Sequence, residues 1–430
     1  MNDIIDFTKR LIPPSCKTAI KQAIHTTVRF SRNEPTYKTE DDITCITLTE
    51  KGNHIFFGYY DISPFHESTA RILACKVSSK KRHSNSLHMD LGWYDTSSPD
   101  VFHKTAETQT WCWQQGARLQ WVPKAGTNAV LYNTLCNGHA ASVVKDVKNG
   151  SILYEFPMPT YALDASGKRA LSLDFARLQR LRPGYGYGNI PELSPTATIP
   201  ADNGLFLVTP DNEPRLILSL ENACHQQPSP TMASACHYFN HPCWTPSGSR
   251  LMVFHIWVAP DGTRRTRLLT LDATGDNVRV LTHEDHVSHY WWVDDSTLLL
   301  YATHGGRQGY FMVRDEAGAL PEPYLPHTLP SSDGHPSFCR AGTLLVGDTL
   351  PGARPERNLW VANPSAGTLT QLGSFYSPPN LSGEHRCDLH PRWNADGTRI
   401  AIDTAHTGKR SMIILDISKF IQKHNASFSS

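Results

Sequence analysis

The sequence predicts an all-β protein, a seven-bladed β-propeller with a short N-terminal helical extension. Two observations lead to this fold class. A motif of a polar residue, an aromatic or apolar residue, a turn and an apolar strand recurs seven times along the 430 residues, at intervals of roughly 40 to 60 residues that suit a four-stranded blade. A composition with 28 Gly, 30 Pro, ten Trp and fifteen Tyr favours short strands and tight turns over long helices.

The seven copies differ in strength, and the four clearest ones each begin with a histidine. These four are HPCWTPSGSRLMVFH from His241, HYWWVDDSTLLLYAT from His289, HPSFCRAGTLLVGDT from His335 and HPRWNADGTRIAIDT from His390. The weaker copies are YYDISPFHESTARILAC from Tyr59, RLQWVPKAGTNAVLYNT from Arg118 and TYALDASGKRALSLDF from Thr160.

Two departures from the regular period carry further information. The interval from Thr160 to His241 contains LQRLRPGYGYGNIPELSP and ENACHQQPSPTMASAC, predicted to be loop insertions of the kind that build binding sites on one face of a repeat fold. The strand-like segment ITCITLTE at 43–50 precedes the first copy, and a propeller closes when such a terminal strand joins the last blade. We therefore predict an extension at 1–42 and a propeller at 43–430.

The extension has the pattern of a weakly basic amphipathic helix. Residues 1–33 contain six Lys or Arg and two Asp, and Ile20, Ile24 and Val28 follow helical spacing between Lys17 and Phe30. One hypothesis is that this helix rests on a membrane surface or on a partner. The alternative is an ordinary helix that packs its apolar side on the domain.

Composition narrows the classes of function and the compartment. With 41 basic and 40 acidic residues, the chain lacks the cationic surplus of a nucleic-acid-binding protein. The N-terminus has no apolar run of signal-peptide length, and no window reaches the length of a membrane span. The ten cysteines form no CxxC pair. These features predict reduced thiols and a cytoplasmic protein, with the inner membrane surface as an extension of that hypothesis.

Equivalent positions at the start of each innermost strand converge on the channel of a propeller. By this alignment the ring contains Tyr59, Arg118, Thr160, His241, His289, His335 and His390. Converging neutral imidazoles suit a divalent metal, and the nearby thiol of Cys387 favours zinc over manganese. We predict His241, His335, His390 and Cys387 as ligands, with His289 and His385 in reserve. The alternative is that the histidines pack and hydrogen-bond against aromatic neighbours.

The segments FFGYYDISPF, WCWQQGARLQW, RLRPGYGYG and EHRCDLHPRWNADGTRIAIDTAHTGKRSMIILDIS carry a family resemblance. The chain resembles propeller proteins encoded among bacterial surface-polysaccharide genes and, more distantly, the β-propeller polysaccharide lyases such as ulvan and oligogalacturonate lyases. That resemblance covers about residues 43 to 418 and implies β-elimination on uronic-acid-containing chains, in which a His or Tyr takes the C5 proton and an Arg, His or metal neutralises the carboxylate.

The residues that could fill these roles lie in two loops and near the axis. His139 in NTLCNGHAAS is a candidate base, Tyr185 and Tyr187 are candidates for base or leaving-group acid, and Arg182 for binding a carboxylate. Tyr59, Tyr60 and Arg118 are second candidates. Each of these side chains has an alternative role in loop packing, sugar stacking or turn capping.

The sequence therefore supports two principal hypotheses of function. The first is a metal-containing lyase acting on an anionic polysaccharide or oligosaccharide. The second is a non-catalytic glycan-binding or scaffold propeller in surface-polysaccharide biosynthesis. A glycosyltransferase is a minor alternative, because the chain has neither a nucleotide-binding glycine-rich turn nor a DxD motif in a suitable α/β context.

Overall fold

Seven antiparallel sheets follow one another along the chain in a computed structural model that describes residues 14–31, 36–79, 87–283 and 286–428. The predicted seven-bladed propeller is confirmed. In each blade the first strand of the repeat lies at one edge of the sheet and lines the channel, and later strands add outward by antiparallel pairing. Seven short meanders bury the apolar faces of neighbouring sheets against each other, which no single four-stranded sheet could do alone.

The N-terminal segment and the first two blades come first in the chain. They comprise α1 (Pro14–Ser31), β1 (Tyr37–Thr39), β2 (Thr44–Leu48), β3 (Asn53–Phe56), β4 (Arg71–Ser78), β5 (Met89–Asp95), β6 (Ser98–Thr108), β7 (Gln120–Trp121), a 3-10 helix (Pro123–Ala125), β8 (Ala129–Cys136), β9 (His139–Asp146) and β10 (Ile152–Phe156). Strands β3 to β6 form blade one and β7 to β10 form blade two.

Blades three to five follow, with short helices in the long insertions. They comprise β11 (Ala162–Leu163), β12 (Ala170–Leu173), α2 (Phe175–Leu181), β13 (Gly204–Thr209), β14 (Asn212–Ser219), α3 (Leu220–His225), a 3-10 helix (Pro230–Met232), β15 (Cys236–Trp244), β16 (Arg250–Val258), β17 (Arg264–Asp272), β18 (Arg279–Val280), β19 (Val287–Trp292), β20 (Thr297–His304), β21 (Arg307–Arg314) and β22 (Glu322–Pro323). Asp174 and Ser219 cap α2 and α3, which the sequence had predicted as loop.

The last two blades complete the ring. They comprise β23 (Ser337–Phe338), β24 (Leu345–Asp348), β25 (Glu356–Asn363), β26 (Thr368–Tyr376), a 3-10 helix (Gly383–His385), β27 (Arg392–Trp393), β28 (Arg399–Thr404), β29 (Ser411–Asp416) and α4 (Ser418–Phe428). Strand β2 pairs with β29 as the outer strand of blade seven, in the closure that the sequence predicted. Strand β1 lies inside the predicted extension, yet it pairs with β26 as a fifth strand of blade six.

The register of the inner strands confirms the alignment of the repeats for most blades. Trp244, Trp292, Phe338 and Trp393 each pair with the first residues of the following strand. In blade one the equivalent pair is Phe65 with Ile72. Strand β3 ends at Phe56, so eight residues bulge out of the blade before this pair and bring Tyr59 and Tyr60 into the channel.

Two features of the chain bear on its predicted compartment. None of the helices in the described residues is long and apolar enough to cross a membrane. All ten cysteines are free thiols. The cytoplasmic location remains a prediction.

Candidate active site

The starts of the inner strands place a cluster of imidazoles in the channel. Arg118, His241 and His390 occupy equivalent positions in three blades, and all three have left-handed backbone, with φ of 54°, 54° and 46°. Left-handed backbone is uncommon for residues other than glycine, and it accumulates where a structure imposes a particular side-chain direction. The strained turn thus points a polar side chain toward the axis in each of these blades.

Two of the predicted ligands, His335 and His390, come together with an unpredicted carboxylate, that of Asp388. One ligand atom from each of the three residues lies within 4.8 Å of the others, and all three are buried. The Nε2 atoms of both histidines have no hydrogen-bond partner. Buried polar atoms are almost always paired, so two unpaired imidazole nitrogens beside a buried carboxylate fit a bound divalent cation.

Asp348 holds the histidines of this cluster in place through hydrogen bonds. Its carboxylate lies 2.9 Å from Nδ1 of His335 and accepts hydrogen bonds from the backbone N–H groups of His335, Leu389 and His390 at 2.8, 3.1 and 3.2 Å. A carboxylate at Nδ1 makes that nitrogen the protonated one, which leaves the Nε2 lone pair free for a metal. Asp348 ends β24 within the repeat that begins at His335, and it was missed from the sequence because only the starts of the inner strands were predicted to face the channel.

The electrostatics keep the three ligands in the forms that a metal requires. Burial lowers the pKa of His335 and of His390, so both imidazoles are neutral. Burial alone would raise the pKa of Asp388, but Arg357 and Arg386 outweigh it and hold this pKa well below its usual range. Arg357 Nη1 lies 2.7 Å from Oδ1 of Asp388, and Arg386 Nε donates to Oδ2 at 2.7 Å.

Cys387 is not a member of this group of ligand atoms. In extended backbone, alternate residues point to the same side, so Asp388 and His390 both face the channel while Cys387 and Leu389 face the opposite side, where Leu389 packs in the core between blades. The main reason for favouring zinc over manganese, a nearby thiolate, therefore loses its support from geometry.

His241 also lies outside the group. Its ring stacks on Tyr59 at a centroid distance of 4.8 Å, and its Nδ1 lies 3.0 Å from the hydroxyl of Tyr161. Tyr59 contacts His390 on another side at 4.8 Å. The reserve residue His385 is half-buried beside Trp113, five residues before His390.

His289, the other reserve residue, forms a pair with Asp333 at the edge of the cluster. Its Nδ1 lies 2.7 Å from Oδ1 of Asp333, and its ring centroid lies 4.1 Å from that of His335. Burial would raise the pKa of Asp333, but His289 and the hydrogen bonds from His289 and Ser288 lower it. An ionised Asp333 holds the proton on Nδ1 and leaves Nε2 as a base, which is the arrangement of a histidine general base with its orienting carboxylate.

The two tyrosines of the GYGYG loop lie in different surroundings. Tyr185 lies at the cluster, 5.9 Å from the His241 ring, and its hydroxyl is 3.3 Å from Nη2 of Arg386. Arg182 stands over the Tyr185 ring at 5.1 Å. Tyr187 is fully buried on Phe175 and accepts from the amide of Asn133 at 2.6 Å, which is a packing role.

The remaining two predicted site residues lie elsewhere. His139 is exposed at the start of β9, the third strand outward from the axis of blade two. Arg118 is buried in a bidentate ion pair with Asp61, and both line a cavity of about 650 Å³. Loops that follow the inner strands also line this cavity.

A second group of potential ligands, Cys224, His237 and His255, is buried in blade four. Here each histidine nitrogen already has a partner. Arg267 Nε donates to Nδ1 of His255 at 3.1 Å, Nε2 of His255 lies 2.8 Å from Nδ1 of His237, and Nε2 of His237 lies 2.9 Å from the carbonyl of Met232. This chain of hydrogen bonds is complete without a cation, unlike the channel cluster.

Because the hydrogen bonds of the Cys224, His237 and His255 group are complete, a substitution in this group should not affect metal binding. In the Cys224→Ser protein we expect the metal content to equal that of the wild type, because the ligands we assign lie in the channel. Elemental analysis of the two purified proteins measures this. A stoichiometric loss of metal in the variant would contradict our assignment.

The same chain of hydrogen bonds predicts a pH dependence of stability. Burial lowers the pKa of His237 to about 4, and that of His255 well below its usual range. The unfolded chain takes up protons at ordinary histidine pKa values, so the free energy of unfolding falls as the pH drops from about 6.5 to about 4. Urea denaturation across this range should show the fall, with a shallower slope in the His237→Gln/His255→Gln double variant. Equal slopes would contradict the prediction.

The protein is a seven-bladed propeller whose channel holds a cluster of two imidazoles and a carboxylate, with a His–Asp pair beside it. The particular likeness is to oligogalacturonate lyases. One, described in complex with manganese, superposes with a TM-score of 0.62 at 15% identity, covering 90% of this chain and 97% of that one. A second, from Vibrio parahaemolyticus, gives 0.58 at 14% identity, covering 89% and 96%. No protein-family profile and no curated protein sequence matches the chain. The resemblance to these lyases is confirmed for the fold.

Proposed function

We propose that the protein is a lyase that cleaves a uronic-acid-containing glycan by β-elimination, with a divalent metal in its channel. The observation that carries this proposal is the juxtaposition of the unpaired Nε2 atoms of His335 and His390, the carboxylate of Asp388 and the His289–Asp333 pair. The shared fold with an oligogalacturonate lyase described in complex with manganese supports a divalent metal. With oxygen and nitrogen ligands and no thiolate, manganese fits the site at least as well as zinc.

Elimination requires a base and stabilisation of the adjacent carboxylate. The bond between C5 and its hydrogen breaks, the electron pair forms the C4–C5 double bond, and the bond from C4 to the glycosidic oxygen breaks. When bound, the metal would neutralise the charge that builds up on the substrate carboxylate. The free Nε2 of His289 takes the C5 proton, while Asp333 stabilises the imidazolium that forms.

The leaving oxygen needs a proton, and Tyr185 can supply it. Its hydroxyl lies 3.3 Å from Nη2 of Arg386, and this guanidinium can donate a hydrogen bond to the oxygen after proton transfer. Arg182, only half-buried above the Tyr185 ring, can hold a second carboxylate of the chain through a bidentate contact.

The charges around this mouth of the channel suit an anionic substrate. Arg182 and Arg386 border the cluster, and a cavity of about 380 Å³ beside the Gly383–His385 segment is lined by His54, Lys409 and Arg410. Burial lowers the pKa of His54 to about 4, so Lys409 and Arg410 carry the positive charge of this cavity. Net charge over the whole chain is +1, so attraction of a polyanion depends on such local groups.

Product analysis tests the proposal. Incubation with oligogalacturonate and a panel of other uronic-acid glycans should give products that carry a C4–C5 double bond, one water lighter by mass spectrometry than hydrolytic products. Glycan binding without turnover, in the presence of added manganese or zinc, would instead support the non-catalytic scaffold in surface-polysaccharide biosynthesis. Neither binding nor turnover across the panel would contradict both proposals.

A further inference from the structure

The apolar side of α1 faces away from the propeller. Ile20, Ile24 and Val28 follow one another at intervals of four residues, and they are 49%, 57% and 37% exposed. This spacing places them in one stripe along the helix. A surface helix of a globular protein normally turns such a stripe toward the core, so the orientation of α1 is the reverse of the ordinary one.

Polar side chains on the opposite side of α1 hold it to blade six. Gln22 donates to the carbonyl of Gly352 at 3.1 Å, and Arg29 pairs with Glu356 at 2.7 Å. At 100° per residue, Gln22 and Arg29 lie roughly opposite to Ile20 and Ile24 around the helix axis. The helix is therefore fixed by its polar side and presents its apolar stripe outward.

The charge around the stripe indicates what covers it. α1 contains no acidic residue, and Lys21, which is exposed, lies next to the stripe on the helix. A second copy of α1 packed on the stripe would bring lysines together with no carboxylate from either helix to pair with them. In an anionic membrane the lipid head groups supply the negative charge that pairs with lysine, and the acyl chains beneath them supply an apolar layer for the isoleucines.

We propose that α1 docks the propeller on an anionic membrane surface. Ile20, Ile24 and Val28 insert at the boundary between head groups and acyl chains, and Lys21 contacts lipid phosphates. The helix lies in the membrane plane, and blade six is the blade nearest to the lipid. This inference depends on the N-terminal helix alone and is independent of the proposed lyase activity.

Co-sedimentation of the full-length protein with lipid vesicles tests the docking. We expect binding to vesicles of phosphatidylglycerol and phosphatidylethanolamine, weaker binding at high salt, and little binding to neutral phosphatidylcholine vesicles. Ile20→Asp/Ile24→Asp should lower the apparent affinity by at least about tenfold, because charge replaces apolar area at the lipid boundary. Lys21→Glu should reduce binding to the anionic vesicles alone.

Leu320→Asp provides the matched control. Leu320 is 68% exposed between β21 and β22, on a different blade, so this variant carries a similar change away from α1 and should bind like the wild type. All variants alter exposed side chains, and near-ultraviolet circular dichroism checks that they fold. Failure of the wild type to bind, or equal loss in Leu320→Asp, would overturn the proposal. So would light scattering that shows a dimer abolished by Ile20→Asp/Ile24→Asp.

Discussion

The His390→Asn protein is expected to lose its divalent metal and, with it, at least about a hundredfold in turnover of the glycan. Asparagine tolerates left-handed backbone, so it preserves the turn at φ 46° while its shorter side chain withdraws the ligand nitrogen. The unpaired Nε2 of His335 and the carboxylate of Asp388 then lack the third ligand of their group. Elemental analysis and turnover, measured on the same preparation, test this.

His241→Asn is the matched control for His390→Asn. His241 has the same backbone conformation, with φ of 54°, and the equivalent place in blade four, but it lies outside the group of ligand atoms. The control should keep its metal content. If His241→Asn and His390→Asn both lose metal, then the ligands are those predicted from the sequence rather than the cluster with Asp388.

The Asp333→Asn protein is expected to keep its metal and lose about 10²- to 10⁴-fold in turnover. An amide in place of the carboxylate donates to Nδ1 of His289, which moves the proton to Nε2 and removes the base. His289→Ala should have a similar effect, since it removes the same nitrogen. Steady-state kinetics with elemental analysis separate this loss from a loss of metal.

Ser288→Ala controls for disturbance around Asp333. Ser288 also donates to Oδ1 of Asp333, at 2.9 Å, but it does not set the protonated nitrogen of His289, so we expect a change of less than about tenfold. Full turnover in Asp333→Asn would show that His289 is not the base, and Tyr185 would become the next candidate.

The repeat in the sequence was sufficient to predict the propeller, its closure and the position of the axial histidines. Period and register are local properties of the chain, because in five of the seven repeats an aromatic residue three positions after the ring position marks the inner strand. The fifth strand of blade six was not predictable in this way. Three residues, Tyr37–Thr39, pair with an edge that exists only after blade six has formed.

The composition of the cluster was only partly predictable. In extended backbone, residues i and i+2 face the same side. This alternation could have predicted that Asp388, rather than Cys387, faces the same side as His390. Asp348 and Asp333 reach the cluster from other strands and loops, so their roles depend on tertiary contacts alone. Tyr187 was a candidate for base or leaving-group acid, and its packing role could not be predicted from the sequence. Gly186 packs directly against the backbone of Phe175, and this contact brings Tyr187 into the core.

The most direct test of a metal-dependent lyase is turnover of oligogalacturonate by protein stripped with a chelator and then reloaded. Ultraviolet absorbance of the unsaturated uronate product gives the rate. We predict that the stripped wild type is inactive, that manganese restores its activity, and that His390→Asn gains nothing from the same addition. Activity that survives complete removal of metal, or product without the double bond, would contradict the account.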